Sequence, residues 1–252
     1  MSNYHNLIQI SDTHLFGDKN RTLNGANPYN NLVSVFEHIK YLQQKPELII
    51  VSGDLSQDCT VESYKEIENF LSNSGINYKI FPGNHDDVDV INKVFKCNWK
   101  RDKVDFSFEL NGWYFYVLDS SLYPNPEGYL SNDQLDNFKK YLSKNNNKSL
   151  IVFMHHHPTE INSAWLDKML LKNADEFNKI IDKNPQVKAV LFGHIHQVFD
   201  KKINNVYYQS APSTAYQVRP NSEMFTIEKL TPGYRLIELG ESTFNSRVVW
   251  ME

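Results

Sequence analysis

The sequence contains little cysteine, and this scarcity excludes one class of protein. Two cysteines, Cys59 and Cys97, occur in 252 residues. Two thiols cannot supply the dense disulfide framework of a small secreted domain. They are expected instead in a reducing compartment, where cysteine behaves as a small buried apolar side chain. We therefore expect the chain to fold around an apolar core.

Long apolar runs and runs of basic residues are also missing. No stretch approaches the ~18 consecutive apolar residues that read as a membrane span. The start of the chain, Met1–Leu7, lacks the charged and apolar pattern of a secretory signal. The formal net charge is −4, and no basic stretch suits a phosphate backbone. We therefore expect a cytoplasmic protein that binds no membrane and no nucleic acid; the sequence predicts no particular oligomeric state.

No internal repeat, low-complexity segment or linker interrupts the chain. The apolar fraction of 40% is typical of a globular protein. A chain of 252 residues is long enough for one α/β domain with a substantial core. We therefore expect a single domain over residues 1–252.

What the sequence does contain is a series of apolar strands that each end in a polar loop. Strands are predicted at Leu7–Ser11, Glu47–Asp54, Tyr78–Phe81, Leu150–Met154 and Val187–Phe192. Helical spacing of apolar residues predicts helices at Leu32–Gln44, Asp58–Asn73, Asp133–Ser143 and Ala174–Lys183, and a loop at Leu15–Asn31. The alternation predicts an α/β sandwich with a site at the carboxyl ends of its strands.

The other apolar segments of the sequence predict a hairpin and further short strands. Asn111-Gly112 lies between two apolar runs and is a strong signal for a two-residue hairpin turn. Short strands are predicted near the end of the chain, at Val206–Gln209, Tyr234–Leu239 and Ser246–Trp250.

Side chains of the kind that bind metals follow five of the predicted strands. They are Asp12 and His14, Asp54, Asn84 and His85, His155, and His194 and His196. Residues i and i+2 of an extended chain point the same way, so the first and the last pair are expected to converge.

This donor set favours two divalent ions. Carboxylate, imidazole and amide groups together suit Mn²⁺, Fe²⁺ or Zn²⁺. The absence of a thiolate excludes a structural zinc knuckle. The set is too large for one tetrahedral ion, whereas two ions ~3.5–4 Å apart clamp the attacking and leaving oxygens of a displacement at phosphorus.

Each candidate also has an ordinary structural alternative. Gly83-Asn84 is common turn chemistry, and Asp54 could cap the helix that follows it. His156 and His157 could be loop histidines held by hydrogen bonds. Spacing alone does not decide which of these two or His155 binds a metal.

The chain resembles the calcineurin-like metallophosphoesterases in five motifs that occur in the family's order. They are Asp12-Thr13-His14, Gly53-Asp54, Gly83-Asn84-His85-Asp86, His155 and Gly193-His194-Ile195-His196. A narrower resemblance, to the bacterial class III 3′,5′-cyclic AMP phosphodiesterases, is carried by Trp165-Leu166-Asp167, Leu171-Lys172-Asn173, Ala211-Pro212-Ser213-Thr214 and Pro232-Gly233-Tyr234-Arg235.

The resemblance implies a four-layer α/β/β/α sandwich and a role for each motif residue. One metal would be held by Asp12, His14 and His196, and the other by Asn84, His155 and His194, with Asp54 as the bridge. His155 is preferred to its neighbours because it directly ends the strand and begins the run His155-His156-His157-Pro158, which resembles the family's His-His-Pro pattern. Asn84 and His85 would bind substrate, and His85 would be catalytic.

The resemblance also implies a reaction. A hydroxide between the metals would attack phosphorus, while His85 stabilises charge and protonates the leaving alkoxide. The favoured substrate is 3′,5′-cyclic AMP, with other cyclic nucleotides as close alternatives. The rival interpretations are a phosphodiesterase of glycerophosphodiesters or other small phosphate esters, and a metal-free scaffold.

The segment Pro158–Asn173 could wall the pocket and hold a base. Alternatively, it could simply pack into the core through Trp165 and Leu166. Asn173 is given no role.

Overall fold

Two β-sheets and the helices that cover them account for the architecture. The computed structural model describes residues 4–101, 103–123 and 125–252. The strands are β1 (His5–Ile10), β2 (Leu48–Ser52), β3 (Asn77–Phe81), β4 (Phe106–Leu110), β5 (Trp113–Val117), β6 (Leu150–Phe153), β7 (Val187–Phe192), β8 (Asp200–Ile203), β9 (Val206–Ser210), β10 (Gln217–Val218), β11 (Ile227–Glu228), β12 (Gly233–Leu239) and β13 (Phe244–Trp250). The helices are α1 (Pro28–Lys40), α2 (Val61–Asn73), α3 (Val88–Phe95), α4 (Asn132–Lys144) and α5 (Ala174–Asp182), with one 3₁₀ turn at Asp167–Met169.

Each large sheet has a parallel centre with antiparallel strands at its margins. The first sheet has the order β13-β12-β1-β2-β3, and the second has the order β4-β5-β6-β7-β9-β8. In the first, β1, β2 and β3 are parallel. In the second, β5, β6, β7 and β9 are parallel. The parallel strands deliver their following loops to one edge of each sheet.

Three apolar clusters hold the layers together. One cluster joins the two sheets face to face and includes Ile50 from β2 and Phe153 from β6. A second lies between the first sheet and the helices α1, α2 and α3. A third lies between the second sheet and the helices α4 and α5. Helix, sheet, sheet and helix follow one another, and the predicted four-layer sandwich is confirmed.

Local signals explain where several elements begin and turn. The hairpin predicted at Asn111-Gly112 is present, with Leu110 paired to Trp113 and positive φ at both turn residues, 51° and 80°. Such a turn matches the right-handed twist of the strands.

The first helix begins at Pro28, four residues before its predicted start. The cause is the side chain of Asn27, which caps the helix by accepting the N–H of Asn30, with proline in the first turn.

The structure also contains elements that the sequence pattern did not predict. Helix α3 has eight residues, too few for a clear apolar period, and is started by Asp87, whose side chain accepts the N–H groups of Asp89 and Val90. Strand β8 is an exposed, charged edge strand.

Cys59 and Cys97 are free thiols and are half-buried rather than fully buried. Among the described residues, no helix has the length and apolar character needed to cross a membrane.

Candidate metal centre

The predicted ligand residues meet where the parallel strands of both sheets end. Backbone hydrogen bonds join neighbouring loops: the N–H of Asp12 donates to Gly53 O (3.1 Å), and the N–H of His14 donates to Asp54 O (3.0 Å). The second sheet contributes in the same way, because the N–H of Gly193 donates to His155 O (3.1 Å). The N–H of His194 then connects the loops of the two sheets, because it donates to both carboxylate oxygens of Asp12 (3.1 Å each).

The backbone at these residues is not extended, as the i, i+2 prediction assumed. Asp12, His14, Asp54, His194 and His196 all have positive φ, between 43° and 67°. Left-handed backbone at a residue with a side chain is strained by about 1–3 kcal/mol, and such strain clusters at functional sites. The side chains do converge, but tight loops rather than strand alternation bring them together.

Four buried side chains form a first ligand group. These are Asp12, His14, Asp54 and His196, whose ligand-type atoms all lie within 4.8 Å of one another. His14 Nε2 is 3.0 Å from His196 Nε2, and His196 Nε2 is 3.4 Å from Asp12 Oδ1. The group combines two buried carboxylates with two buried imidazoles.

A second group shares one member with the first. It consists of Asp54, His155 and His194, again with ligand-type atoms within 4.8 Å of one another. Asp54 Oδ2 lies 3.3 Å from His155 Nε2 and 3.6 Å from His14 Nε2, so it faces both groups. Asn84 adds an amide oxygen, since its Oδ1 lies 3.0 Å from His194 Nδ1.

Backbone carbonyl groups orient two of the imidazoles. His155 Nδ1 lies 2.8 Å from Ser52 O, and His196 Nδ1 lies 3.0 Å from Tyr216 O. A carbonyl can only accept, so Nδ1 carries the proton in both rings. Nε2 is then left to face the carboxylates, which is the arrangement that metal-binding histidines adopt.

Buried nitrogen atoms without hydrogen-bond partners test whether these residues fit a metal. Within the described parts of the chain, His155 Nε2 and His194 Nε2 are buried and have no hydrogen-bond partner. Most buried polar atoms in proteins have one. A cation would satisfy the unpartnered nitrogens together with the two carboxylates, so this buried His/Asp cluster fits two divalent ions.

The protonation states of the carboxylates point the same way. Burial alone would raise the pKa of Asp54, but the charge of His155, then that of His85, outweigh it and hold the pKa well below its ordinary value. Burial is likewise outweighed at Asp12, where the charge of His196 lowers the pKa. Two ionised carboxylates in a buried site need positive charge nearby.

The histidines divide into charged and neutral rings. Burial would lower the pKa of His155, but the charge of Asp54, whose Oδ2 lies 3.3 Å from Nε2, raises it to about 9. Burial lowers the pKa of His14 to about 3, against the attraction of Asp54. Burial also lowers the pKa of His194 well below its ordinary value. A neutral imidazole is the form that binds a metal, and a cation would take over the pairing of Asp54 that protonated His155 now provides.

Asp86 fixes the loops around the second group, a role that the sequence pattern did not reveal. Its carboxylate accepts the N–H groups of Leu55 (3.0 Å), Ser56 (3.1 Å) and Gly83 (2.9 Å). The hydroxyl of Tyr64 donates a further hydrogen bond of 3.1 Å. Burial, followed by the charge of Asp54, raises the pKa of Asp86 to about 6. Its place directly after Asn84 and His85 was the signal available in the sequence.

Gly83 allows the loop to pass close to the ligands. A Cβ atom at this position would overlap Asp54 Oδ1 and would lie 2.7 Å from His155 Nε2. Glycine is therefore required here by close approach, not by turn geometry alone.

His85 lies at the solvent side of this loop. Its side chain is exposed, and its backbone N–H donates to Asp54 Oδ1 (2.9 Å). Its ring centroid is 5.0 Å from that of His14. His85 therefore lies beside the ligand groups with a ring that is accessible to solvent.

The geometry separates the three consecutive histidines. His156 uses both ring nitrogens, at 2.9 Å from Ser120 Oγ and 3.2 Å from Pro126 O, and so anchors the loop that follows β5. His157 is buried, with Nε2 3.8 Å from Asp167 Oδ1. Only His155 of the three belongs to a ligand group in the described residues.

A cavity of about 130 Å³ opens onto the ligand groups. Asn84 and His85 line it together with Trp165 and Leu166 of the segment Pro158–Asn173. Leu166 also packs into the core, so the segment both lines the cavity and contributes to the core. Further lining residues that the sequence pattern did not single out are Pro126, Met169, Tyr216 and Phe225. Asn173 is not among them, and its amide instead hydrogen-bonds both the N–H and the carbonyl of Leu130.

Comparison with known proteins defines the class. Residues 5–198 match the calcineurin-like phosphoesterase family, and the chain belongs to that family. A dimetal phosphatase from Danio rerio has the same fold, with a TM-score of 0.69 at 11% identity over 98% of this chain and 99% of that chain. The first of the two predicted resemblances is confirmed.

Two curated relatives confirm the narrower resemblance. A 3′,5′-cyclic-nucleotide phosphodiesterase of Nostoc sp. is 35% identical over 243 residues, covering 96% of this chain and 91% of the relative. The 3′,5′-cyclic adenosine monophosphate phosphodiesterase CpdA of Pseudomonas aeruginosa is 33% identical over 233 residues, covering 92% of this chain and 85% of the relative.

Proposed function

We propose that this chain is a two-metal phosphodiesterase that hydrolyses 3′,5′-cyclic AMP to 5′-AMP. The observation that carries the proposal is the pair of buried ligand groups that share Asp54. The names of the relatives from Nostoc sp. and Pseudomonas aeruginosa support the substrate, because both are cyclic-nucleotide phosphodiesterases similar to this chain over most of its length. The proposal includes a single domain over residues 1–252 and a cytoplasmic location.

The proposed ligands follow the two groups. Asp12, His14 and His196 would hold one ion, and His155, His194 and Asn84 would hold the other. Asp54, whose Oδ2 faces both groups, would be shared by the two sets of ligands. Mn²⁺ and Fe²⁺ are the favoured ions for this mixture of imidazole and oxygen donors, and Zn²⁺ also suits it. Two bound divalent ions would supply a water of lowered pKa as the nucleophile and would neutralise charge on the phosphoryl oxygens.

The chain's own side chains supply the remaining chemistry. Hydrolysis of the cyclic diester breaks the bond between phosphorus and O3′ and forms a bond between phosphorus and the oxygen of water. The departing O3′ must also receive a proton. His85 is the proposed proton donor, since its ring is exposed beside the cavity and its backbone is held by Asp54. Asn84 and His85 also bind the phosphoryl group. Its negatively charged oxygens need hydrogen-bond donors at the end of the cavity next to the ligand groups.

Product analysis tests the proposal. The protein is incubated with cyclic AMP and Mn²⁺, and AMP is measured by chromatography, with a chelator and Asn84→Ala as the two inactivating conditions. Asn69→Ala serves as a matched control, because Asn69 is exposed on α2 and lies outside the ligand groups. AMP formation that the chelator and Asn84→Ala abolish, and Asn69→Ala leaves intact, supports the proposal.

Two other outcomes would overturn it in different ways. Cleavage of an aryl phosphodiester or a glycerophosphodiester without any AMP would contradict the substrate and keep the two-metal mechanism. Inactivity toward all these esters with metal bound would contradict an active phosphodiesterase and favour the scaffold interpretation.

A further inference from the structure

Three aromatic side chains line the same cavity as the ligand groups. They are Trp165, Tyr216 and Phe225. The Tyr216 ring lies 4.4 Å from the ring of His196, and 6.4 Å from the ring of Phe225 at an interplanar angle of 75°. The rings of Trp165 and Phe225 are 5.4 Å apart at 85°. A continuous series of rings therefore runs from a ligand residue outward to Phe225.

Phe225 occupies the exposed end of this series. It is 46% exposed, whereas Tyr216 and Trp165 are partly buried. In a perpendicular pair, the ring that contributes its edge keeps both of its faces free of that partner. The end of the cavity thus offers an accessible aromatic surface to a further ring.

The size of the cavity places part of any nucleotide at this exposed end. The cavity has a volume of about 130 Å³. Pockets that enclose a drug-sized ligand are much larger, about 300–1,000 Å³. If the phosphoryl group lies against the ligand groups, the rest of the nucleotide extends past the walls. Phe225 is the exposed aromatic side chain in the lining, and the Trp165 ring lies beside it.

Hydrogen bonds hold the aromatic segments to the metal centre. The N–H of Val218 donates to His196 O (2.8 Å), which ties the β10–β11 hairpin to a ligand loop. The N–H of Ser222, in the same hairpin, donates to Ser163 Oγ (3.4 Å), two residues before Trp165. The hairpin that carries Phe225 is therefore positioned by both the ligand loop and the segment that carries Trp165.

We propose that Trp165, Tyr216 and Phe225 form a base subsite, in which the heterocyclic base of a nucleotide stacks against Phe225 and Trp165. The inference rests on the proposed function for the position of the phosphoryl group, and it goes further by assigning the residues that select nucleotides over diesters without an aromatic ring. Stacking accepts any base, so the subsite distinguishes nucleotides from glycerophosphodiesters more strongly than adenine from guanine.

Binding of two ligands that differ only by the base tests this subsite without requiring turnover. The affinities of the Mn²⁺-loaded protein for 5′-AMP and for ribose 5-phosphate are measured by calorimetry. The wild type is expected to bind 5′-AMP roughly 10-fold or more tightly than ribose 5-phosphate, given the usual strength of base stacking. Phe225→Leu and Trp165→Leu should each reduce that ratio severalfold and leave ribose 5-phosphate binding unchanged, while Phe225→Tyr should retain the ratio.

Met224→Ala is the matched control. Met224 is 70% exposed in the same hairpin and does not line the cavity, so its truncation should leave the ratio unchanged. Equal affinity of the wild type for the two ligands would overturn the subsite, as would variants that weaken both ligands equally. The outcome is separate from the proposed function: a wild type that prefers 5′-AMP but does not hydrolyse cyclic AMP would retain the subsite and lose the proposed reaction.

Discussion

Asp54 and His155 form a buried pair in which Asp54 Oδ2 lies 3.3 Å from His155 Nε2. The carboxylate comes from the loop after β2 of one sheet, and the imidazole comes from the loop after β6 of the other. Asp54 also faces His14, so a single carboxylate connects both ligand groups across the interface between the sheets. The metal centre is therefore expected to depend on the packing of the two sheets and on this carboxylate above all others.

Replacing Asp54 should remove more metal than replacing any other single ligand. Asp54→Asn keeps the shape and removes the charge that both groups share. We expect bound metal to fall below one ion per chain and activity to fall by more than about 100-fold, beyond the range for residues that only orient ligands. Metal analysis and kcat measurement check this, with Asp136→Asn on the exposed face of α4 as the control. An Asp54→Asn protein that retains two ions would contradict the bridging role.

Gly83→Ala should damage the site through steric overlap. The added Cβ would collide with Asp54 Oδ1 and lie 2.7 Å from His155 Nε2, so both ligands must shift. We expect a loss of metal affinity and of kcat with the fold retained, as judged by circular dichroism. Gly112→Ala is the control for general destabilisation, because its positive φ costs about 1–2 kcal/mol far from the site. Similar activity in both variants would show that Gly83 is not needed for close approach.

His85→Ala should distinguish a proton donor from a group that only stabilises charge. A poor leaving group such as the O3′ alkoxide needs a proton, whereas an aryl oxide leaves without one. General acid catalysis contributes roughly 10²–10⁴-fold, so we expect a loss of that order on cyclic AMP and a much smaller loss on an aryl diester. The kcat/KM values for both substrates are compared, with His5→Ala at the partly exposed His5–Glu47 pair as the control. Equal losses on the two substrates would exclude the proton-donor role.

Asp105 should make stability depend on pH independently of the metal ligands. Burial raises the pKa of Asp105, and the hydrogen bonds from the Asp119 N–H and the Gln134 amide lower it by less. A carboxyl whose pKa is higher in the folded than in the unfolded chain makes folding less favourable once it ionises. Asp105→Asn can keep both hydrogen bonds and should therefore be more stable than the wild type at pH 7.

The difference between these two proteins should shrink as pH falls toward the unfolded carboxyl pKa of about 3.9. Denaturant unfolding of both proteins from pH 7 to pH 4 measures it. A variant that is less stable at pH 7, or a difference that grows as pH falls, would contradict the burial argument.

Much of the framework could be predicted because the sequence pattern and the fold depend on the same physics. Buried parallel strands need continuous apolar runs, and the polar residues that follow them must lie at the carboxyl edge of the sheet. Asp12, Asp54 and His155 could be identified in this way. The hairpin at Asn111-Gly112 could also be predicted, since its turn type requires residues that tolerate positive φ.

The details of the site depend on tertiary contacts that no local pattern encodes. The positive φ of Asp12 and His194 arises where neighbouring loops hydrogen-bond each other, so the convergence that strand alternation predicted has a different physical cause. The several hydrogen bonds that Asp86 accepts come from three segments of the chain. Tyr216 and Phe225 reach the cavity through the short strands β10 and β11, each two residues long and too short to be recognised by periodicity.

The most direct measurement is a metal count combined with anomalous diffraction from the protein loaded with Mn²⁺. We expect two ions per chain, about 3.5–4 Å apart as in other two-metal sites, with Asp54 Oδ2 in contact with both. One of the ions should contact Asp12, His14 and His196, and the other His155 and His194. A single ion, no ion, or two ions that do not share Asp54 would contradict it.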